Sequence, residues 1–175
     1  MKTLITLALC LLLVSCNDKK PTGPLPFFHF DEIDYYHIGI SEEEATEMSI
    51  KQDKTRKEQA LLQIINGNVP VNTRDTLFIN NMDILRFEKH DIDPKFNPQF
   101  ADLFRVRENV KPEAVSCISV YRDVLVFRQK DKVVGVAKIC FDCGTDEIVG
   151  SRYDTSTFGE GGDYEKLEAL LKQAK

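Results

Sequence analysis

The chain has neither a stripe of basic residues nor an apolar run long enough to span a membrane permanently. Its net charge is −5 over 175 residues, so the charge pattern does not favour the phosphates of a nucleic acid, and we predict no nucleic-acid partner. The apolar run from Leu4 to Val14 is shorter than the roughly 20 residues of a transmembrane helix. Hydrophobic residues make up 42% and charged residues 29% of the chain, a composition typical of a globular protein.

Sequence signatures of common catalytic and nucleotide-binding sites are also missing. The glycine-rich segment TSTFGEGGD at 155–163 precedes a predicted helix, but it has no Walker lysine, and Glu160 and Asp163 would repel a phosphate. The acidic residues of DIDP at 91–94 lack the glycine and the closing glutamate of an EF-hand. No Ser, His and Asp set can be assembled from spacing, so we predict a protein without catalytic residues, metal or cofactor that is not an enzyme.

Two histidines lie in the aromatic stretch FFHFDEIDYYHIGI at 27–40. Neither His29 nor His37 has a partner at metal-ligand spacing. We therefore interpret each as an imidazole that is packed or hydrogen-bonded at a strand edge.

The N-terminal segment has the pattern of a bacterial lipoprotein signal. Residues 1–15 contain one basic residue, a short apolar stretch and a small residue before Cys16, which indicates a secretory signal peptide. The sequence LVSC at 13–16 resembles the lipobox, in which the cysteine is acylated and becomes the first residue of the mature protein. Several acyl chains on Cys16 would anchor the protein stably. The alternative is an ordinary signal peptide cut nearby, with Cys16 as a spectator thiol.

Prolines and a glycine separate this segment from the rest of the chain. Residues 17–26 (NDKKPTGPLP) hold three prolines and one glycine without apolar periodicity, which is typical of an extended tether. We therefore assign residues 16–26 to the lipidated cysteine and the tether. The remaining length has room for one packed core, so we predict a single α+β domain over residues 27–175.

The stretch from Cys117 to Cys143 predicts the centre of this domain. Its two arms are rich in Val, Ile, Tyr and Phe and flank the polar break QKDK at 129–132, which is the pattern of a β-hairpin. Two further strands are predicted at 27–40 and 147–153.

Capping residues and apolar stripes predict the helices. Ser41 and Glu44 form a capping-box pattern. Residues 54–65 carry apolar side chains on one stripe and charged ones on the other, with Gly67 as the expected end, and 90–96 is interpreted as a linker. Three more helices are predicted to begin at Asp75, Asn97 and Asp163. We thus predict an α+β fold, a small antiparallel sheet built on the central hairpin and packed with several helices.

Three cysteines remain once Cys10 has left with the signal and Cys16 is acylated. A disulfide suits an exported protein, and we favour one between Cys117 and Cys143, with a free thiol at Cys140. Free buried thiols remain an alternative. So does a zinc or thiol-redox site, although zinc would need a fourth ligand and a redox pair would need a helix N-terminus.

The register of the hairpin decides which cysteine faces Cys117. A three-residue turn centred on Lys130 places Cys117 opposite Cys143, whereas a two-residue turn at Lys130 and Asp131 places it opposite Gly144. The first register needs no bulge to bring the sulfurs together, and this favours Cys143 as the partner.

Two sequence blocks resemble a known group of proteins. The runs YRDVLVFRQKDKVVGVAKICFDC at 121–143 and FGEGGDYEKLEALL at 158–171 resemble a family of small lipoproteins of the Bacteroidetes group, which carry similar Y-R-D, I-C-F-x-C and F-G-x-x-G-D-Y-x-K-L blocks. The resemblance covers most of the mature chain. Because the family has no assigned activity, the resemblance implies localisation in the cell envelope and no catalytic residue.

We therefore expect a non-enzymatic lipoprotein of the bacterial cell envelope. It would be anchored by lipid, in the outer membrane, and would act as a binding or accessory module for an envelope protein partner. The alternative is a thiol-redox or zinc-dependent protein that uses Cys117, Cys140 and Cys143.

Overall fold

Five strands and five α-helices form the part of the chain that the computed structural model describes, residues 25–107 and 116–175. In chain order they are β1 (Glu32–His37), α1 (Glu42–Ile50), α2 (Arg56–Ile65), α3 (Leu77–Ile84), β2 (Glu88–Asp91), α4 (Asn97–Leu103), β3 (Asp123–Gln129), β4 (Lys132–Cys140), β5 (Thr145–Val149) and α5 (Asp163–Ala174). A single 3-10 turn at Pro94–Phe96 precedes α4. The predicted α+β class is confirmed.

The sheet is antiparallel, with the strand order β2-β1-β3-β4-β5. The predicted hairpin, β3 and β4, therefore lies inside the sheet, with β1 on one side and β5 on the other. Helices α1, α2 and α3 pack on one face, and α4 and α5 pack on the other. Since both faces of the hairpin are buried, its strands are nearly continuous apolar runs instead of alternating apolar and polar residues.

The hairpin turns at Lys130 and Asp131, whose φ angles are 51° and 64°. Two adjacent residues with positive φ form the tight two-residue turn that matches the twist of paired strands. The register then shifts between Phe127 and Arg128, so that Val124 pairs with Lys138. The predicted three-residue turn, which placed Cys117 opposite Cys143, is therefore wrong. The register shift is a β-bulge, and it lies near the hairpin turn.

The face that carries α1, α2 and α3 packs against alternate residues of the central strands. Ile64 and Ile65 of α2 and Phe78 and Met82 of α3 are almost fully buried there. The strand residues on this face that belong to the same core are Tyr36, Val124, Val126 and Val136. Helix α1 contributes little to this core, because Ala45 is its one buried residue.

The opposite face holds a larger core, rich in aromatic side chains, beneath α4 and α5. Phe28 packs its ring 4.8 Å from that of Phe127, centroid to centroid. A Cβ at Gly135 would lie 2.3 Å from the ring of Phe28, so the close approach requires a glycine at this position of β4. Leu25 already belongs to the fold, since its carbonyl accepts a hydrogen bond from the amide of Val106 at 2.8 Å.

Three predicted caps are wrong. Helix α4 begins at Asn97, but Phe96 occupies its N-cap position and no side chain caps the helix. Asp75 makes no cap, because α3 starts after Thr76 without a side-chain hydrogen bond at its N-terminus. Asp163 is the first residue of α5, and Gly162 before it takes the N-cap position with a φ of 80°. Asp163 is instead fully buried and accepts a hydrogen bond of 2.8 Å from Nε of Arg107. A buried carboxylate needs such a cationic partner more than the exposed helix end needs a cap.

The predicted linker at 90–96 contains the end of an edge strand, β2, which pairs with β1. Its sequence EKHD has no apolar alternation, because three of its four residues are exposed. Besides the backbone ladder, the ion pair of Lys89 with Asp34 and the stacking of His90 on Tyr35 attach it to β1. The first predicted strand is shorter than expected and occupies Glu32–His37, while the third occupies Thr145–Val149.

Candidate functional site

The disulfide expected between Cys117 and Cys143 is formed, with a Cα–Cα distance of 5.8 Å. Neither cysteine lies in a strand: Cys117 precedes β3, and Cys143 lies in the turn between β4 and β5. The predicted partner is therefore confirmed, but strand register does not determine the pairing, since both cysteines lie outside the strands. Cys140, the last residue of β4, is a buried free cysteine.

The structure does not bring the other residues singled out in the sequence into one site. Cys16 lies outside the described residues. His29 is exposed in the loop before β1, whereas His37 ends β1 and contacts Asp123. Within residues 25–107 and 116–175, no group of three His, Cys, Asp or Glu side chains is arranged to hold a metal ion.

One surface depression is a cleft of about 790 Å³ that we call the α1 cleft. Three segments that are separate in the sequence form it: the loop after β1, one side of α1 with the start of α2, and the end of α3 with the start of β2. Its lining residues are Ile38, Gly39, Ile40, Glu44, Glu47, Met48, Lys51, Glu58, Leu85, Arg86 and Glu88.

The floor of the α1 cleft is apolar. Ile38, Ile40, Met48 and Leu85 are partly buried and pack against the core beneath α1, α2 and α3. Their remaining apolar surface faces the cleft. Such surface gains free energy when a partner covers it, at roughly 25 cal/mol for each Å² removed from water.

The rim of the α1 cleft is acidic, with four glutamates against Lys51 and Arg86. Two of these glutamates are engaged locally. Glu44 accepts the amide of Ser41 at 2.8 Å in the predicted capping box, and this hydrogen bond lowers the pKa of its carboxyl group. Glu58 pairs with Lys51 at 2.7 Å, which together with the amide of Thr55 lowers the pKa of Glu58 to about 2.

Two carboxylates of the rim are available to an incoming cation. Glu88 lies 4.0 Å from Nε2 of His90, at the limit of an ion pair. The carboxylate of Glu47 has no ion-pair partner in the part of the chain that the structure describes. No serine, cysteine or histidine lines the cleft, so its residues favour binding over nucleophilic chemistry.

The helices beside the cleft also expose large apolar side chains. Ile50, at the end of α1, is 75% exposed, and Ile84, at the end of α3, is 60% exposed. Single exposed apolar residues are common on protein surfaces. Ile50 and Ile84, however, both lie at helix ends that border the cleft. They therefore enlarge the apolar surface that a partner could cover.

Sequence reasoning missed the α1 cleft. The local signal was the composition of α1, where three glutamates start a helix whose apolar residues Met48 and Ile50 do not form one stripe. A helix without a complete apolar stripe packs weakly on its core, and its side chains remain available to a ligand.

Comparisons with protein-family models, with curated proteins and with solved structures returned no match. Among the helices of residues 25–107 and 116–175, none is both long and apolar enough to cross a membrane.

Proposed function

We propose that this protein is a non-enzymatic lipoprotein of the bacterial cell envelope that is anchored through Cys16 and binds a protein partner in the α1 cleft. The observation that carries the proposal is the combination of an apolar floor with an acidic rim in a cleft of about 790 Å³. Binding sites commonly pair a largely apolar surface with a few polar groups that fix orientation.

The charge of the cleft indicates the chemistry of the partner. Four glutamates and two basic residues give the lining a net charge of −2. A segment with an apolar side chain for the floor and a lysine or arginine beside Glu47 or Glu88 would complement both features. Opposite charges at such a rim speed up association and orient the partner.

The position of the cleft supports this proposal. The chain approaches the sheet at the turn end of the hairpin, where the amide of Asp31 donates to the carbonyl of Arg128. The cleft begins at Ile38, after the six residues of β1, which extend about 20 Å. Because the predicted anchor precedes β1 and the cleft follows it, a partner can reach the cleft while lipid holds the protein at the membrane.

A photo-crosslinking amino acid in place of Glu47 would test the proposal in the full-length, lipid-bearing protein. The matched control places the same group at Glu43, which is exposed on the same helix but does not line the cleft. We expect one envelope protein to crosslink from position 47 and not from position 43.

Binding of that protein, once purified, would then be measured with variants. We expect Glu47→Lys to weaken binding roughly tenfold and Glu43→Lys to leave it unchanged. Equal crosslinking from both positions, or equal affinity of both variants, would contradict the assignment of the cleft.

A further inference from the structure

A buried carboxylate joins two side chains at the other face of the sheet, beneath α5. Asp123, the first residue of β3, accepts a hydrogen bond of 2.6 Å from the hydroxyl of Tyr35. The same oxygen lies 2.8 Å from Nδ1 of His37, its neighbour across the β1–β3 pair. Asp123 and Tyr35 are buried, whereas the side chain of His37 is 36% exposed.

This arrangement leaves one nitrogen of His37 free to bind. Nδ1 donates to Asp123, so Nε2 is the remaining polar atom of the ring. The hydrogen bond to Asp123 raises the pKa of His37, and burial opposes this effect. For Tyr35, burial raises the pKa of the hydroxyl. The hydroxyl therefore stays protonated and is the second donor to Asp123. The imidazole is thus fixed in orientation and favoured as a cation.

The cluster opens into a cavity of about 190 Å³, the His37 cavity, whose other wall is α5. Phe141 and Leu171 form its apolar sides, and Glu168, Lys172 and Lys175 provide its charges. Ligand pockets for drug-sized molecules measure roughly 300–1,000 Å³, so this cavity suits a smaller ligand. It lies on the sheet face opposite the α1 cleft and is independent of the function proposed for that cleft.

Among the charged side chains that line the cavity, one cation forms no ion pair with another side chain. Lys172 pairs with Glu168 at 2.7 Å, and His37 pairs with Asp123. The ammonium of Lys175 lies 5.6 Å from the centre of the Tyr35 ring, and it has no carboxylate partner among the residues that the structure describes.

Strand β2 adds two titratable groups near the cluster. Glu88 pairs with His37 in register and contributes to the raised pKa of His37. His90 stacks its ring on Tyr35 at 5.8 Å. Their carboxylate and imidazole do not line the cavity.

We propose that the His37 cavity binds a small anion through a carboxylate or phosphate group, held between Nε2 of His37 and the ammonium of Lys175. The anion would pair with the ammonium of Lys175, and the buried Asp123 would hold the imidazole in place. Charge-assisted hydrogen bonds to both cations give the site its affinity, while Phe141 and Leu171 limit the size of the ligand.

Nitrogen NMR of the three histidines tests the proposal in full-length protein in detergent, near pH 6. Sodium acetate and inorganic phosphate are the two probes, each added at constant ionic strength with chloride as the control. We expect a saturable shift of the Nε2 resonance of His37 with one probe or both, and none for the exposed His29. The responding probe identifies the group that the site accepts. Shifts that are absent or do not saturate would overturn the proposal.

Two variants separate a binding site from a structural contact. His37→Asn keeps an N–H donor for Asp123 but removes the cation, so it should weaken binding of the responding probe at least about tenfold. Lys175→Met should also weaken binding several-fold, whereas Lys57→Met, an exposed lysine on α2, should not. Since an anion favours the protonated imidazole, binding of the responding probe should also decline as the pH rises through the pKa of His37. Unchanged affinity in Lys175→Met would refute the proposed ligand position, even if His37→Asn fails to fold.

Discussion

Lys138 is a buried cation whose ammonium is fully surrounded by partners. It pairs with Glu147 of β5 at 2.6 Å and donates to the carbonyl of Ile64 at 3.1 Å and to that of Gly67. It also lies 4.9 Å from the centre of the Tyr121 ring. Burial lowers the pKa of Lys138, and Glu147 opposes the shift. This side chain thus joins the C-terminal end of α2 to the sheet.

Replacing Lys138 by Met should lower the free energy of unfolding by about 2 to 3 kcal/mol, because Glu147 and two carbonyls lose their partner. Denaturant titration would measure the loss. The double variant Lys138→Met, Glu147→Gln should recover part of it. Lys172→Met, which breaks an exposed pair on α5, should change stability by less than about 0.5 kcal/mol. A similarly small effect of Lys138→Met would show that the buried ion pair makes no net contribution to the free energy of unfolding.

Asp146 is a carboxyl group on the opposite face, and burial raises its pKa to about 6 although the hydroxyl of Tyr164 donates to it at 2.7 Å. The folded state therefore holds this proton more tightly than the unfolded state, whose pKa is about 3.9. The resulting stability is fully present below about pH 4 and is lost as the pH rises through about 6.

The variant Asp146→Asn should remove this pH dependence, because its amide oxygen still accepts from Tyr164 and carries no charge. We expect wild type and variant to have similar unfolding free energies at pH 4. Above pH 7, the variant should be more stable by about 2 kcal/mol. Melting curves over this pH range would measure the difference. A constant offset between the two proteins at every pH would contradict a raised pKa of Asp146.

At the level of elements, the disulfide joins the segment before β3 to the turn between β4 and β5. The two cysteines are 26 residues apart, and a crosslink of this length stabilises a domain by about 3 kcal/mol. We expect Cys117→Ser and Cys143→Ser to lose this amount each. In denatured protein without reductant, Cys140 should be the one alkylated thiol of the three, and all three should react after reduction. Three reactive thiols before reduction would contradict the disulfide, and stoichiometric zinc in the same protein would support the zinc alternative.

Helix α5 provides a second test at this scale, since Leu167 is fully buried and Leu170 is 8% exposed beside α4. Leu167→Ala should cost about 3 kcal/mol through the cavity it leaves, and Leu170→Ala should cost less because its site borders on solvent. Thermal unfolding of both variants would rank them. Equal and negligible losses would show that α5 does not dock on the sheet.

The accuracy of the sequence predictions follows the range of the interactions involved. The capping box of Ser41 and Glu44 was predicted correctly, because both partners lie within one helical turn. Strand β2 was missed, because its pairing with β1 depends on backbone groups distant in the sequence. The ion pair of Lys138 was also missed. Its partner depends on the register of two strand pairs, in which the bulge near the hairpin turn places Val124 of β3 on one side of Lys138 and Glu147 of β5 on the other.

At the scale of the whole molecule, the α1 cleft could not be read from the sequence, because three separate segments contribute to it. The same applies to the His37 cavity. His37 was interpreted as a hydrogen-bonded imidazole, and this is confirmed, but the packing of α5 over it was not predictable. The order of apolar and polar residues along the chain predicted the class of the fold and the hairpin. The cleft and the cavity depend instead on how the helices dock on the two faces of the sheet.

The proposed anchor gives a prediction for the whole protein. Cys16→Ser should release the protein from the membrane fraction, because the lipid would no longer attach. The fold should be unaffected, because we predict that Cys16 lies outside the packed domain. Fractionation of cells after a high-salt wash would measure release, and melting of the purified variant should match that of the wild type within about 1 °C, since a residue outside the core changes stability little. Cys140→Ser is the matched control, since it also removes a thiol but should leave the protein in the membrane. Retention of Cys16→Ser in the washed membrane would refute lipid anchoring at this residue, whereas release combined with loss of the crosslink from position 47 would show that binding of the partner in the α1 cleft depends on membrane attachment.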